Sequence, residues 1–194
     1  KHPTDRVLGH RVATETEDGK LDDEELLSFC RLLLIAGNET TTGLITASAR
    51  IFHEQPETLA RLKAQPELAS SFVEEALRFY SPFSATVRRT TKSVEIAGQT
   101  IAAGELVVPL IASANRDERV FDAADTFQID RSPNQHLGLG FGIHVCLGAH
   151  LARLEGKIVA EQMAERYSSV MLTEPKTATV GELGGPKQLN VIVS

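Results

Sequence analysis

The chain has 194 residues, of which 42% are hydrophobic, and its formal net charge is −6. This length and composition suffice for one sizeable core, and they argue against a disordered chain. The acidic balance, without a basic stripe, argues against nucleic acid as a partner. No apolar run reaches the roughly 20 residues of a membrane span. The two cysteines, Cys30 and Cys146, form no disulfide framework, so a cytoplasmic location is expected.

A long helix is predicted after a polar, unpatterned stretch at residues 1–20. Asp22 is a suitable N-cap, and Glu25, three residues later, completes a capping-box pattern. The helix is predicted to run to about His53. Residues 26–35 are apolar on nearly every side, which predicts that this half of the helix is buried in the middle of the protein.

A polar segment, residues 36–43, interrupts this apolar helix with an amide, an acid, three threonines and two glycines. These residues are poor helix formers, and an unpaired buried carboxylate is costly. A break into a loop is one interpretation. Hydrophobic spacing resumes at Leu44, however, so we expect the helix to continue. A polar segment in a buried helix favours a functional role.

Two further helices are predicted to open at Pro56 and Pro66, because proline suits the first helical position. Residues 71–74 form a second capping-box pattern. Glu75 and Arg78 follow, three residues apart on one helix face among apolar neighbours. This placement predicts a partly buried ion pair that needs a further polar partner.

Short extended segments occupy the middle and the end of the chain. They are predicted at residues 86–91, 94–96, 99–101, 106–111 and 189–193, with turns at 97–98 and 184–186. Residues 120–135 have no clear pattern, and residues 147–167 have helical spacing. The predicted fold class is therefore mainly α with a minor antiparallel β component.

The most unusual stretch is residues 138–149, in which three glycines alternate with apolar residues and Cys146 follows. Alternating glycines suit a backbone that passes close to a flat, bulky object. A cysteine just before a helix lies near the partial positive charge of the helix N-terminus, which favours a thiolate. Such a thiolate is a metal ligand or a nucleophile. The alternative is a buried structural cysteine in a tight turn.

Together these motifs resemble the C-terminal half of the cytochrome P450 family of haem-thiolate monooxygenases, of the soluble bacterial or archaeal type. The cysteine loop is similar to the family pattern Phe-Gly-x-Gly-x-His-x-Cys-x-Gly, with Leu139 in place of the phenylalanine. Residues 36–40 are similar to the oxygen-binding groove of the family's central helix. Residues 75–78 match the Glu-x-x-Arg signature, and Arg131 stands where the third member of that triad is expected.

The resemblance implies a site for haem b with Cys146 as the iron ligand. Glu39 and Thr40 are the implied catalytic residues, which hold oxygen and deliver protons. Glu75, Arg78 and Arg131 are implied to form a buried network that braces the cysteine loop. The implied haem-binding residues, with Arg88 and His144 as propionate contacts, are Ala36, Gly37, Thr40, Arg88, Leu139, Gly140, Phe141, His144, Cys146 and Gly148.

Residues 1–194 are expected to form a single fragment, the haem-binding half of the family's domain. The resemblance also implies an activity. The full enzyme would activate O2 to hydroxylate or epoxidise a small apolar organic substrate, with electrons from a ferredoxin-type or flavin partner. A second interpretation remains open. In that interpretation the chain is a truncated, non-catalytic remnant that acts as a weak haem-binding or interaction module.

Overall fold

The structure, a computed structural model, describes residues 21–173 and 189–194. The predictions for residues 1–20 and for the turn at 184–186 lie outside these ranges. The chain divides into two compact units, Lys1–Glu39 and Thr40–Ser194. Among the described residues, no helix is long and apolar enough to cross a membrane.

Helices dominate the described ranges, and the strands are short. The helices are α1 (Asp23–Glu54), α2 (Pro56–Ala64), α3 (Ala69–Tyr80), α4 (Ile111–Ala114) and α5 (Ala149–Arg166), with 3-10 turns at Pro66–Leu68 and Gly142–His144. The strands are β1 (Arg88–Arg89), β2 (Val94–Ile96), β3 (Gln99–Ile101), β4 (Leu106–Val107), β5 (Val170–Leu172) and β6 (Val191–Val193). They pair antiparallel as β1–β4, β2–β3 and β5–β6. The predicted fold class is confirmed.

Helix α1 begins with the predicted capping box. The Glu25 amide donates to Asp22 Oδ1 at 2.8 Å, and the Asp22 amide donates to Glu25 Oε2 at 3.0 Å. These two bonds satisfy backbone donors that the first helical turn leaves unpaired. The helix continues through residues 36–43 without interruption, so the alternative of a loop at that segment is wrong.

The first half of α1 is exposed, which contradicts the predicted burial. Leu34 is 74% exposed and Ile35 is 62% exposed. Residues 36–39 of the polar segment are exposed too, so the expectation of a polar segment inside a buried helix is also wrong. An apolar pattern shows that a helix can be buried, but burial depends on what packs against it. The sequence of one helix does not specify that neighbour.

The core of the second unit is built where α3 packs against α5 and the second half of α1. Phe52 and Phe72 stack with ring centroids 5.1 Å apart. At Gly156 of α5, a Cβ atom would lie 2.8 Å from Leu44 Cδ2 and 3.1 Å from Val73 Cγ2. Because real side chains rarely tolerate such contacts, α5 comes this close to its neighbours only through a residue without a side chain.

Several local predictions are confirmed and others are corrected. The hairpin of β2 and β3 forms with Ala97 and Gly98 at positive φ, and Pro56 opens α2 as expected. The capping box at residues 71–74 is wrong, because α3 starts at Ala69 directly after the 3-10 turn. The strand predicted at 106–111 ends at Val107, since residue 111 already belongs to α4.

Candidate functional site

The cysteine loop is a tight turn that lies immediately before α5. The Cys146 amide donates to the Leu139 carbonyl oxygen at 2.8 Å, and the Gly140 amide donates to the Leu137 carbonyl oxygen at 2.9 Å. Helix α5 begins at Ala149, three residues after the cysteine. These backbone bonds fix the path of the loop without using the thiol, which leaves the sulfur available for chemistry.

Two glycines of the loop are required by its geometry. Gly140 has φ of +77°, and a Cβ atom there would collide with the His144 carbonyl oxygen. At Gly138 a Cβ atom would lie 2.8 Å from the carbonyl oxygen of Leu77 in α3. The first glycine therefore allows the tight turn. The second allows the start of the loop to lie directly against the last turns of α3.

The loop is exposed although it is rich in apolar residues. Cys146 itself is exposed, so the alternative of a buried structural cysteine is wrong. Phe141 is 80% exposed and Leu147 is 75% exposed. An exposed apolar surface normally marks a binding site. A surface that carries one thiol, on a backbone thinned by glycine, fits a flat apolar group whose metal takes a thiolate ligand.

The other predicted cofactor residues fall in three places. Leu139, His144 and Gly148 lie with Cys146 in the loop, where His144 is exposed in the short 3-10 turn. Arg88 is exposed on β1 and donates to Thr86 Oγ1 at 2.8 Å and to the Val87 carbonyl oxygen at 2.9 Å. In α1, Ala36, Gly37 and Glu39 are exposed and belong to the first unit, whereas Thr40 is half-buried and belongs to the second.

A charged network is buried in α3. Glu75 and Arg78 are both fully buried. Arg78 Nε donates to Glu75 Oε2 at 2.7 Å and Nη2 donates to Oε1 at 2.8 Å, which is a bidentate pair. The remaining Arg78 donors reach the carbonyl oxygens of Asn115 and Ala124 at 2.8 Å and of Thr126 at 3.0 Å. The guanidinium is therefore fully satisfied away from water.

Arg131 is the third charged member of this network. Its Nε donates to both Glu75 oxygens, at 3.0 and 3.1 Å. The Gln128 amide and the Asn134 side-chain amide donate to the same carboxylate at 2.9 and 3.0 Å. The predicted buried network of Glu75, Arg78 and Arg131 is confirmed. It ties α3 to the irregular stretch that precedes the cysteine loop.

Asn115 connects this network to the loop itself. Its carbonyl oxygen accepts from Arg78, and its side-chain Oδ1 accepts from the Leu137 amide at 2.7 Å. Its Nδ2 donates to Ser81 Oγ at 2.8 Å, so every side-chain polar atom of this fully buried residue is paired. A continuous chain of hydrogen bonds therefore runs from the network to the residue before Gly138.

A second charged cluster lies beside the first. Glu74 accepts hydrogen bonds from the Nε2 atom of His136 at 3.1 Å and from Arg153 of α5 at 2.7 and 3.0 Å. Burial raises the pKa of Glu74, but the hydrogen bonds from His136 and Arg153 outweigh that effect and lower the pKa to about 2. The carboxylate is therefore charged throughout the neutral range.

The sequence reasoning missed five residues of these two clusters. They are Glu74, Asn115, Asn134, His136 and Arg153. Only Glu74 gave a signal, since it is an acid with apolar neighbours directly beside the recognised signature. The two asparagines lie in irregular segments, where spacing carries no information about partners distant in sequence.

The chain is similar to a known protein family and to individual members of it. The family model described as Cytochrome P450 matches residues 50–189. The chain is 42% identical, over 174 residues, to a biotin biosynthesis cytochrome P450 of Bacillus subtilis, covering 90% of this chain and 44% of that protein. It is 43% identical, over 183 residues, to cytochrome P450 119 of Sulfolobus acidocaldarius, covering 94% and 49%.

Solved structures agree with the sequence comparisons. A crystal structure of CYP109E1 from Bacillus megaterium in complex with testosterone superposes with a TM-score of 0.84 at 41% identity. The match covers 92% of this chain and 50% of that one. The chain thus spans about half the length of the relatives it matches, which accords with the expected C-terminal half. On these matches, the chain belongs to the cytochrome P450 family.

Proposed function

We propose that the protein carrying this chain is a monooxygenase that binds haem b through Cys146. The observation that carries the proposal is the exposed Cys146 on an apolar, glycine-containing loop braced from behind by a buried network. Membership of a haem-thiolate family supports it. When bound, the haem supplies the oxygen-activating chemistry, which the thiolate favours by donating electron density.

The loop residues hold the sulfur and the ring in place. Cys146 Sγ would ligate the iron, and Leu139, Gly140, Phe141 and Gly148 would contact the haem. Gly140, Phe141 and Gly148 are exposed in the structure, as expected of residues whose natural contact is a prosthetic group, whereas Leu139 is half-buried against the core. Arg88 and His144 would bind the haem propionates, because a guanidinium and an imidazole suit carboxylates.

Residues 36–40 of α1 would form the oxygen-binding groove that the family resemblance implies. Ala36 and Gly37 present little side-chain volume, and at Gly37 a Cβ atom would meet nothing within 4 Å. Glu39 is exposed, so its carboxylate can exchange protons with water. Thr40 is half-buried, and its Oγ1 passes the proton inward. The polar segment in an otherwise apolar helix supports this role.

The proposed reaction inserts one oxygen atom of O2 into a small apolar organic substrate, by hydroxylation or epoxidation. The second oxygen atom leaves as water, formed with two electrons and two protons. The electrons come from a ferredoxin-type or flavin partner. The testosterone complex of CYP109E1 supports an apolar substrate class. We place the enzyme in the cytoplasm and treat residues 1–194 as the haem-binding half of its domain.

A second candidate function is a non-catalytic haem-binding or interaction module. It would use the same exposed apolar loop as its binding surface, on which Phe141 is 80% exposed. Substrate turnover by the protein as the cell makes it distinguishes the two candidates. A monooxygenase couples reductant consumption to oxidised product, whereas the remnant binds haem without turnover.

Ligation by Cys146 is tested by substitution to serine. Cys146→Ser should abolish the thiolate-type carbon-monoxide difference spectrum of the reduced protein. Because Cys146 is exposed, the free energy of unfolding of the haem-free protein should change by no more than about 0.5 kcal/mol. The matched control is Cys30→Ser, which should leave the spectrum intact. A thiolate-type spectrum that survives in Cys146→Ser would overturn the proposal.

Proton delivery is tested separately from iron ligation. Glu39→Gln and Thr40→Ala should keep the haem and the thiolate-type spectrum but release more hydrogen peroxide per electron pair consumed. Thr42→Ser, which keeps a hydroxyl in the same segment, is the control. Equal coupling of electrons to product in the parent and in both variants would contradict the relay.

A further inference from the structure

Glu74 and Glu75 are adjacent in α3 but serve different surroundings. Successive residues of a helix point about 100° apart, so neighbouring side chains meet different elements. Glu75 faces the irregular stretch that contains Arg131. Glu74 instead receives bonds from His136 and Arg153. The Glu-x-x-Arg signature accounts for Glu75 and leaves Glu74 without a role.

His136 links Glu74 to the start of the cysteine loop. The Gly138 amide donates to His136 Nδ1 at 3.0 Å. Because Nδ1 accepts this bond, the ring proton is on Nε2, which donates to Glu74 Oε2 at 3.1 Å. The ring side chain is only 3% exposed, so these bonds compete little with water. One imidazole thus holds the loop backbone at Gly138 and the carboxylate of α3 together.

Arg153 links the same carboxylate to the element that follows the loop. Its Nε donates to Glu74 Oε1 at 2.7 Å and its Nη2 donates to Oε2 at 3.0 Å. This bidentate geometry fixes the direction of the side chain as well as its distance. His136 lies ten residues before Cys146, and Arg153 lies seven residues after it. Both ends of the loop therefore meet at one carboxylate.

We propose that Glu74 is a positioning residue that fixes both ends of the Cys146 loop, through His136 and Arg153. It thereby determines the position of Cys146 Sγ. The proposal rests on the proposed function for its consequence, which is stable thiolate ligation. The charged state of Glu74 in the neutral range, maintained by these two partners, supports it. The Glu75 network holds the irregular stretch, whereas Glu74 holds the loop against both α3 and α5.

The test is Glu74→Gln in the protein as the cell makes it, with Glu161→Gln as the matched control. Glu161 lies on α5, and its one ion pair within residues 21–173 and 189–194 is a 3.7 Å surface pair with Lys157. Amide hydrogen exchange in residues 137–147 of the haem-free protein should become about three- to tenfold faster in Glu74→Gln, the range expected for losing roughly 0.7–1.4 kcal/mol of local restraint. In the haem-loaded protein, the thiolate-type carbon-monoxide spectrum should decay faster by a similar factor.

A double-variant cycle distinguishes a specific effect of Glu74 on the cysteine loop from a general loss of stability. Glu74→Gln combined with Arg153→Gln should accelerate loop exchange little more than Glu74→Gln alone, because both remove one contact. Equal loop exchange in Glu74→Gln and Glu161→Gln would overturn the proposal. Uniform acceleration that includes core residues such as Phe72 would overturn it as well. If the parent shows no thiolate-type spectrum, the proposed function fails, and the exchange measurements still decide the role of Glu74.

Discussion

The buried network around Glu75 and the cysteine loop are joined by hydrogen bonds but differ in how they are stabilised. In the network, Glu75 and Arg78 are fully buried, and all their polar atoms have protein partners. In the loop, residues 140–148 are exposed, and the side chains that surround Cys146 are largely apolar. The network is complete within this chain, whereas the loop presents a surface that something else must cover. The buried network that braces the loop is thus distinct from the exposed surface that we propose as the cofactor contact.

The largest effect is expected when Arg78 is removed from the network. Arg78→Ala leaves the buried Glu75 carboxylate short of its bidentate partner, which should lower the free energy of unfolding by roughly 3–5 kcal/mol. That is a large share of the ~5–15 kcal/mol typical of a domain. Denaturation in urea measures the loss, and little soluble haem-loaded protein is expected.

The matched control for this variant is Arg61→Ala. Arg61 pairs with Asp130 at 2.8 Å, but its side chain is 43% exposed, so its loss should cost no more than about 1 kcal/mol. A well-folded Arg78→Ala protein with normal haem content and reduced turnover would mean that Arg78 is catalytic. The division between bracing and chemistry would then be wrong.

A smaller effect is expected at the junction of the two regions. Asn115→Ala leaves the Leu137 amide without its acceptor and Ser81 without its donor, which should cost about 2–3 kcal/mol. Asn134→Ala is the natural comparison, because only the Nδ2 atom of Asn134 is paired and its buried Oδ1 has no partner among the described residues. Thermal unfolding of both variants shows which one loses more stability. A smaller loss in Asn115→Ala than in Asn134→Ala would mean that Asn115 does not couple the network to the loop.

The smallest expected effect concerns pH and Glu74. The folded-state pKa of Glu74 is lowered to about 2, from an ordinary value of 4.5. Its contribution is therefore complete above about pH 4.5 and is lost as the pH falls toward 2. The stability advantage of the parent over Glu74→Gln, about 1 kcal/mol for this partly exposed pair, should shrink across that window. Urea denaturation at a series of pH values measures it. An advantage that stays constant down to pH 3 would contradict the assigned contacts.

Much of the local structure of this chain could be predicted from its sequence. The capping box at Asp22, the length of α1, the hairpin at Ala97 and the partnership of Glu75 with Arg78 all follow from short-range spacing. Arg131 was located by resemblance, since it lies far from Glu75 in sequence. The exposure of the first half of α1 was missed, because burial is a property of neighbouring elements.

The clusters around the loop show where such prediction stops. Asn115 and His136 act through partners 22 to 62 residues away, and no periodic pattern relates residues so far apart. Glu74 was visible as an acid in an apolar setting, but its two partners come from segments that only the folded chain brings together. The resemblance identified the residues of the family's motifs. It did not identify polar side chains that lie between the motifs, such as Asn115 and His136.

Gly156 limits how far α5 can move along its axis. Helix α5 lies so close to Leu44 and Val73 that even a methyl group at position 156 would require their side chains to move. If α5 slid by one residue, Glu155 or Lys157 would replace the glycine at that crossing, and neither side chain fits. The register of α5 is therefore locked, and with it the point from which the chain leaves the cysteine loop. Because α5 cannot shift along its axis, any change in the position of Cys146 Sγ must come from the backbone of the cysteine loop.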